Sequence, residues 1–218
     1  MIQKEKNDMK IPVGNVVLMG NLNLPSDAKG VVLFAHGSGS GRFSPRNQYV
    51  AKEFNKAKIG TLLFDLLTST EEEEDNVTAE YRFNIPLLAN RLIGATEWLK
   101  KDPLTRTCSF GYFGASTGAA AALIAAAKLP NDIAATVSRG GRPDLANEYL
   151  PQVKSPTLLL VGGSDIEVIE LNRQAIEQMN GVKKLVIIPG ATHLFEEPGT
   201  LEEVAKISTS WFLRYLAK

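Results

Sequence analysis

The sequence predicts an α/β fold in which a mostly parallel sheet is covered by helices on both faces. Short apolar runs bounded by Gly, Pro or polar residues alternate with longer segments of helical spacing. Such alternation implies right-handed crossovers between parallel strands. No linker rich in Pro, Ser or Gly interrupts the pattern, and 218 residues suffice for one large core. We therefore expect a single domain over residues 1–218.

The strands predicted for the centre of the sheet are short and almost entirely apolar. Such runs are typical of parallel strands that are buried on both faces. They lie at residues 31–35, 61–64, 107–113, 133–138, 157–161 and 185–188. An antiparallel hairpin at the edge of the sheet is predicted at residues 16–24, with Gly20 and Asn21 as its turn.

Five helices are predicted between these strands from apolar residues at helical spacing. They span residues 47–58, 85–100, 117–129, 168–179 and 201–216. The segment 65–80 instead carries a run of five acidic residues, which repel each other. We predict that this segment is a solvated surface loop.

Positive and negative side chains balance: the chain has 24 Lys and Arg residues, 24 Asp and Glu residues and a formal net charge of +0 at pH 7. Binding to phosphate backbones or anionic lipid depends on an excess of Lys and Arg. We therefore expect neither nucleic acid nor a membrane as a partner. A small molecule is the expected partner, and the sequence leaves a homodimer open.

Cysteine and histidine are scarce, with Cys108 as the single cysteine and two histidines. One cysteine cannot form an internal disulfide, and this set does not make a structural zinc site. The longest apolar run, residues 119–127, is much shorter than the ~20 residues that span a membrane. No apolar segment follows the charged N-terminus. The sequence thus predicts no metal and a cytoplasmic protein.

The sharpest chemical motif is G-x-S-x-G at residues 114–118, between an apolar strand and an alanine-rich helix. In this setting the serine sits on a strained turn with its hydroxyl above the sheet. Gly114 and Gly118 remove side chains that would collide there. The motif predicts that Ser116 is a nucleophile. The alternative is a glycine turn in which Ser116 only caps the following helix.

A serine hydroxyl needs a base that takes its proton and an acid that orients the base. We assign His193 as the base, because it follows the last predicted strand and comes after both the serine and a suitable acid. That acid is Asp165, which follows the strand at 157–161 and can also cap the next helix. Glu167 and Asp144 are the fallback candidates for the acid.

Acyl transfer also needs N–H donors aimed at the oxygen that becomes negative. The backbone N–H of Thr117 is one candidate, because it follows the nucleophile at a helix N-terminus. The N–H of Ser38 is the second, since small residues in this glycine-rich loop let the backbone approach a substrate. His36 begins the loop, and we expect it to brace the loop by hydrogen bonds beside the substrate site.

Four arginines follow strands whose carboxyl ends are expected at the same edge of the sheet: Arg42, Arg46, Arg139 and Arg142. A guanidinium can hold a substrate carboxylate through two parallel hydrogen bonds. We prefer Arg139 and Arg142 for this role. The alternative for each arginine is a surface position paired with a loop carboxylate.

The first half of the chain permits a competing interpretation, a dinucleotide-binding unit. A strand precedes Gly37, Gly39 and Gly41, and a helix, a second strand and Asp65 follow. The fingerprint G-x-G-x-x-G would require glycine where Arg42 stands. A phosphate loop with Gly-Lys-Ser/Thr is absent from the sequence as well. We therefore expect no nucleotide cofactor.

In their order along the chain, these motifs resemble the α/β-hydrolase superfamily, and most closely its small dienelactone hydrolase-like branch. The resemblance covers nearly the whole chain, from the loop at residues 36–37 to the C-terminal helix. It implies an α/β-hydrolase fold with an eight-stranded, mostly parallel sheet. It also implies the following site: a triad of Ser116, Asp165 and His193, with Ser38 and Thr117 as oxyanion donors.

One departure from this branch is chemical. From the resemblance to dienelactone hydrolases proper, a cysteine would be expected as the nucleophile. This chain has Ser116 at that position, and its single cysteine, Cys108, lies on the preceding predicted strand. We therefore do not expect dienelactone itself as the substrate. The chain also has no long insertion that would build a helical lid, so we expect a minimal cap and a shallow pocket for small substrates.

These observations predict a carboxylic ester hydrolase that cleaves a small or short-acyl ester or lactone through an acyl-serine intermediate. No metal or organic cofactor is needed for this chemistry. Thioester cleavage, peptide cleavage and acyl transfer to another acceptor use the same constellation, and the sequence does not separate them. The alternative from another class is a non-catalytic binding protein, because fold does not fix function.

Overall fold

Eight strands form one sheet in the computed structural model of the chain, which describes residues 4–216. The strands are β1 (Lys4–Val13), β2 (Val16–Leu24), β3 (Val31–Ala35), β4 (Gly60–Phe64), β5 (Phe110–Ala115), β6 (Ile133–Arg139), β7 (Thr157–Gly162) and β8 (Lys183–Ile188). Their order across the sheet is β1-β2-β4-β3-β5-β6-β7-β8. The predicted eight-stranded sheet is confirmed.

The strand directions divide the sheet into an antiparallel edge and a parallel body. β1 pairs with β2 and β2 pairs with β4 in antiparallel register, while the remaining neighbours are parallel. Every residue of β3, β4, β5 and β7 is buried. Burial on both faces explains why these strands are almost uninterrupted apolar runs.

Six α-helices and one 3-10 segment complete the described part of the chain. They are α1 (Pro45–Lys56), α2 (Ser69–Thr78), α3 (Ile85–Leu99), α4 (Thr117–Lys128), the 3-10 segment (Pro143–Gln152), α5 (Ile166–Gln178) and α6 (Thr200–Leu216). Apolar residues of α3 and α4 pack on one face of the sheet, and those of α1 and α6 pack on the other. Helices therefore cover both faces, as predicted.

The edge hairpin differs from its prediction. The turn lies between Val13 and Val16, where Gly14 has a φ of 58°, and not at Gly20 and Asn21. Gly20 instead lies inside β2, where it pairs with Met9 of β1 and Phe64 of β4, and a Cβ there would come within 2.7 Å of the side chain of Ile11. This glycine therefore serves close packing across the sheet, and the charged N-terminal residues form strand β1.

The acidic segment also differs from its prediction as a solvated loop. It contains α2, whose N-terminus is capped reciprocally by Thr68 and Glu71. Asp75 is 3% exposed, and its carboxylate accepts hydrogen bonds from the backbone of Tyr81 and from Arg82. Burial alone would raise the pKa of Asp75, but the bonds from Arg82 and Tyr81 lower it below its ordinary value. This ion pair fastens the end of α2 to the turn that follows.

The carboxyl ends of the parallel strands lie at one edge of the sheet. The loop after β3 contains Ser38, the turn after β5 contains Ser116, and the connection after β6 contains Gly140. Asp165 follows β7, and His193 follows β8. The chain crossovers therefore bring the candidate residues to the same edge from separate parts of the sequence.

Candidate active site

Ser116 occupies a strained turn between β5 and α4. Its φ of 51° and ψ of −122° lie in a backbone region that residues other than glycine rarely adopt. The backbone N–H of Ser116 donates to the carbonyl oxygen of Arg139 across 3.2 Å, which ties the turn to β6. The Ser116 side chain makes no capping hydrogen bond to α4. Ser116 thus occupies the N-cap position that the alternative interpretation expects, but without the side-chain hydrogen bond that a capping serine makes.

The two glycines of the motif allow this turn to form. A Cβ on Gly114 would lie 2.4 Å from the Cα of Ala119, and one on Gly118 would lie 2.2 Å from the carbonyl oxygen of Ala35. Both distances are far below van der Waals contact, so any side chain at either position would displace α4 from the sheet. The motif therefore requires glycine at both positions because α4 packs closely against the sheet there.

Asp165 and His193 form a hydrogen-bonded pair. Oδ2 of Asp165 lies 2.6 Å from Nδ1 of His193, which is short for a hydrogen bond between a ring nitrogen and a carboxylate. Asp165 stands at the N-cap position of α5, but its side chain makes no capping bond. Asp165 is therefore the N-cap residue of α5, as expected, but its carboxylate bonds to the histidine instead of the helix N-terminus.

Close contact between two loops holds this pair together. The N–H of Ser164 donates to the carbonyl oxygen of Ala191 across 2.9 Å. A Cβ on Gly162 would lie 2.4 Å from the same oxygen. The glycine at the end of β7 therefore lets the loop that carries Asp165 approach the loop that carries His193.

The fallback acids occupy other environments. Asp144 accepts two hydrogen bonds from the guanidinium of Arg142, at 2.9 and 2.8 Å. Glu167 is exposed in the first turn of α5. Among residues 4–216, the carboxylate that bonds to His193 is that of Asp165.

Gly140 brings the histidine loop close to the serine turn. A Cβ on Gly140 would lie 3.1 Å from the carbonyl oxygen of His193 and 3.6 Å from its Cε1. Gly140 follows Arg139, whose carbonyl accepts the Ser116 N–H. Within the described residues, the Ser116 hydroxyl makes no hydrogen bond to His193. Sequence reasoning missed Gly140, although a glycine pair directly after a buried strand was visible in the sequence.

The two candidate oxyanion donors lie next to each other. The backbone N–H of Ser38 donates to Oγ1 of Thr117 across 3.1 Å. The N–H of Thr117 belongs to the first turn of α4, where the helix itself provides no partner. A Cβ on Gly37 would lie 3.1 Å from the Cβ of Ser116, so the glycine-rich loop runs directly beside the serine. Both N–H groups are therefore close to the nucleophile.

His36 fixes the glycine-rich loop through hydrogen bonds to the backbone. Its Nε2 accepts the N–H of Leu66 across 3.0 Å, and its Nδ1 lies 3.0 Å from the carbonyl oxygen of Gly37, to which it donates in the matching tautomer. Burial lowers the pKa of His36 below its ordinary value, although the bond to Gly37 and the charge of Asp65 oppose the shift. Both ring nitrogens are engaged by the backbone. His36 is thus placed to brace the loop rather than to bond a substrate.

Three of the four candidate arginines have carboxylate partners. Arg142 pairs with Asp144, Arg42 pairs with Asp65 and Asp8, and Arg46 pairs with Glu196. These pairs match the alternative in which the arginines bind loop carboxylates. Arg139 differs, because it is 7% exposed and has no ion-pair partner among the described residues.

A cavity of about 60 Å³ lies beside the glycine-rich loop. Its walls include Ser38 and Gly39 on one side and Glu72, Asp75 and Arg82 on the other. Segment α2 and the turn after it therefore cover part of the edge on which the candidate donors lie. This short cover is the minimal cap expected from the absence of a long insertion.

In residues 4–216, no group of three or more His, Cys, Asp or Glu side chains is arranged to hold a metal ion. None of the helices in this range combines the length and apolar character that crossing a bilayer would require.

Comparison with known sequences identifies a family that matches most of the chain. The sequence model of the dienelactone hydrolase family matches residues 48–215. A curated relative from Mycobacterium tuberculosis, whose name describes a phosphoribosyl transferase, is 52% identical over 209 residues. This match covers 96% of the present chain but 46% of the relative. The chain thus spans about half the length of the curated relatives that it matches.

Solved structures show the same fold. The dienelactone hydrolase from Anabaena variabilis superposes with a TM-score of 0.96 at 56% identity, over 98% of this chain and 99% of that one. Est1E from Butyrivibrio proteoclasticus superposes with a TM-score of 0.81 at 17% identity, over 98% and 100% of the two chains. An esterase from Pyrococcus furiosus gives a TM-score of 0.75 at 18% identity, over 98% and 92%. At the lower identities the likeness concerns the fold alone.

Proposed function

The chain belongs to the dienelactone hydrolase family, and we propose that it is a serine hydrolase. Its substrate is a small or short-acyl carboxylic ester or lactone. One observation carries the proposal: a serine with strained backbone stands at the carboxyl edge of the sheet where a carboxylate and a histidine are joined by a 2.6 Å hydrogen bond. Nucleophilic acyl transfer needs these three groups at one site.

In the first half of the proposed reaction, Oγ of Ser116 attacks the carbonyl carbon and Nε2 of His193 takes the hydroxyl proton. Asp165 accepts a hydrogen bond from Nδ1 of His193, which keeps the tautomer that leaves Nε2 free. The carbonyl oxygen becomes negative and accepts the N–H of Thr117 and that of Ser38, which exchanges its resting acceptor, Oγ1 of Thr117, for this oxygen. The imidazolium then gives its proton to the departing alkoxide, and an acyl-serine ester remains.

In the second half, a water molecule replaces the alcohol. His193 takes a proton from the water, and the resulting hydroxide attacks the acyl-serine carbonyl. Collapse of the second tetrahedral intermediate breaks the bond to Oγ of Ser116, which takes the proton back from the imidazolium. The carboxylic acid leaves, and the site returns to its starting state without a cofactor.

The environment of the single cysteine supports a serine nucleophile. Cys108 precedes β5 and lies away from the turn that carries Ser116. Burial raises the pKa of the Cys108 thiol above its ordinary value, and this disfavours the reactive thiolate. The nucleophile of this chain is therefore assigned to Ser116.

A fluorophosphonate probe tests the proposal without any choice of substrate, because it reacts with activated serines. Peptide mass spectrometry should place one adduct on Ser116. The adduct should be absent in Ser116→Ala and much slower to form in His193→Ala. Ser164→Ala removes a serine from the neighbouring loop and serves as the control that keeps labelling. A folded wild-type protein that forms no adduct at Ser116 would contradict the proposed function.

A further inference from the structure

Arg139, the last residue of β6, is a buried cation with no carboxylate partner in the described part of the chain. Only 7% of the residue is exposed, and its Nε and Nη1 are buried and make no hydrogen bond to any residue in the range 4–216. The guanidinium lies 5.9 Å from the ring centroid of Phe195. The attraction between a cation and an aromatic face is weak. The ring also offers no oxygen or nitrogen atom that could accept a hydrogen bond from the guanidinium N–H groups. A buried charge in this condition requires an explanation.

Arg46, in the first turn of α1, contributes a second positive charge at the same place. Its Nε is likewise buried without a hydrogen bond, while its Nη1 donates to Glu196 across 3.1 Å. Burial and, to a smaller extent, the positive charge of Arg46 together lower the pKa of Arg139 to about 10. Glu196, which accepts a hydrogen bond from Arg46, directly follows Phe195, whose ring lies against the Arg139 guanidinium, so both arginines contact the same short segment of the His193 loop.

Around Arg46 and Arg139, the positive charges are not fully balanced and several N–H groups have no acceptor. Arg46 and Arg139 carry two positive charges, and Glu196, which is largely exposed, carries one negative charge. The group therefore keeps a net positive charge and three buried N–H donors, on Arg46 Nε, Arg139 Nε and Arg139 Nη1. Planar guanidinium groups are suited to the oxygens of carboxylates and phosphates.

We propose that Arg46 and Arg139 form a binding site for a small oxyanion, either a carboxylate or a phosphate. The anion balances the excess positive charge and accepts the buried N–H groups. Since the arginines come from α1 and β6, the site exists only in the folded chain.

The site is joined to the candidate triad by two short connections. The carbonyl of Arg139 accepts the N–H of Ser116, and Phe195 under the Arg139 guanidinium is two residues after His193. Two sources of the oxyanion are therefore open: an acidic group carried by the ester, or a free ion that stabilises the His193 loop. The first source deepens the proposed function and rests on it, whereas the second does not.

Calorimetric titration with inorganic phosphate and with acetate, at constant ionic strength in sodium chloride, tests the site directly. The wild-type protein should bind at least one of these ions, and Arg139→Met should weaken its binding about tenfold or more. Arg173→Met is the matched control, since Arg173 is exposed on α5. Arg46→Met provides a second variant if Arg139→Met does not fold. Failure of the wild-type protein to bind either ion, or equal binding by Arg139→Met, overturns the proposal.

A kinetic comparison then separates the two sources. If the ester carries the anion, the ratio of kcat/KM for monomethyl succinate to that for methyl butyrate should fall about tenfold in Arg139→Met and stay constant in Arg173→Met. If a free ion occupies the site, the ions should bind while this ratio is equal in all variants. Ion binding in a protein that neither hydrolyses esters nor forms the fluorophosphonate adduct would uphold the anion site and overturn the proposed hydrolase.

Discussion

The backbone N–H of Ser38 and the hydroxyl of Thr117 are joined by a 3.1 Å hydrogen bond. This bond links the glycine-rich loop after β3 to the first residue of α4, and both residues are candidate donors to the same oxyanion. In the resting site the Thr117 hydroxyl therefore occupies the Ser38 N–H and fixes the glycine-rich loop beside the nucleophile, and a substrate oxygen would replace the hydroxyl as acceptor.

Removal of this hydroxyl should slow the reaction without weakening substrate binding. In Thr117→Val the backbone N–H and the side-chain shape remain, but the bond that fixes the position of the Ser38 loop is lost. We expect kcat for ester hydrolysis to fall about tenfold with little change in KM, since oxyanion donors act mainly in the transition state. Thr117→Ser restores the acceptor and should recover most of the rate. Equal kcat values in Thr117→Val and the wild type would show that the bond has no positioning role.

Relief of the strained turn should stabilise the protein at the expense of activity. Ser116→Gly should increase the free energy of unfolding by about 1 kcal/mol, because glycine adopts a positive φ readily, and it should abolish turnover. Asn147 has a similar backbone conformation, with a φ of 43° and a ψ of −121°, but lies exposed in the 3-10 segment. Asn147→Gly should therefore give a similar gain with activity retained. Urea denaturation and ester hydrolysis measure both effects, and destabilisation by either glycine would disprove the strain argument.

Asp165 is predicted to orient His193 and to stabilise its imidazolium. Asp165→Asn keeps the size of the side chain but replaces the acceptor and favours the wrong tautomer, so kcat should fall by about 10⁴-fold. Glu167→Gln changes a carboxylate two residues away and should leave kcat within about twofold of the wild type. Steady-state hydrolysis of a short-chain aryl ester tests both variants. A comparable loss of kcat in both variants would show that Asp165 has no special role as the acid of the triad.

His36 should make stability depend on pH. Burial lowers its folded-state pKa below the ordinary value of 6.5, so the unfolded chain takes up the proton first as pH falls. The stabilisation is present above pH 6.5 and is lost as pH decreases through the folded-state pKa, with a slope of at most about 1.4 kcal/mol per pH unit. His36→Gln keeps an acceptor for Leu66 but does not titrate. The free energy of unfolding, measured by urea denaturation between pH 5 and about pH 8, should therefore depend less on pH in the variant than in the wild type. An equal pH dependence in both proteins would refute the prediction.

The central strands and the candidate nucleophile could be predicted from the sequence because each depends on a short local pattern, an apolar run for the strands and G-x-S-x-G for Ser116. Strand β1 was missed because its first residues are charged and exposed on an edge strand, so no apolar alternation marks them. Its stability comes from pairing with β2, which is a tertiary property.

Helix α2 was missed for a different reason. The acidic run obscured a capping box at Thr68 and Glu71, which the sequence did contain. The burial of Asp75 against Arg82 could not be read from the sequence, since it depends on how the following turn folds back. The same limit applies to the arginines: their residue types suggested anion binding, but only the fold separates unpaired Arg139 from paired Arg142.

The close approach of Gly114 and Gly118 to their neighbours also affects motion. Because α4 lies against β3 and β5 without intervening side chains, the turn with Ser116 should exchange its amide hydrogens as slowly as the core strands. His193, in contrast, stands on a loop whose neighbours Thr192 and Leu194 are exposed. Adjustment to substrates of different shape should therefore take place on the histidine side, while the nucleophile keeps a fixed position.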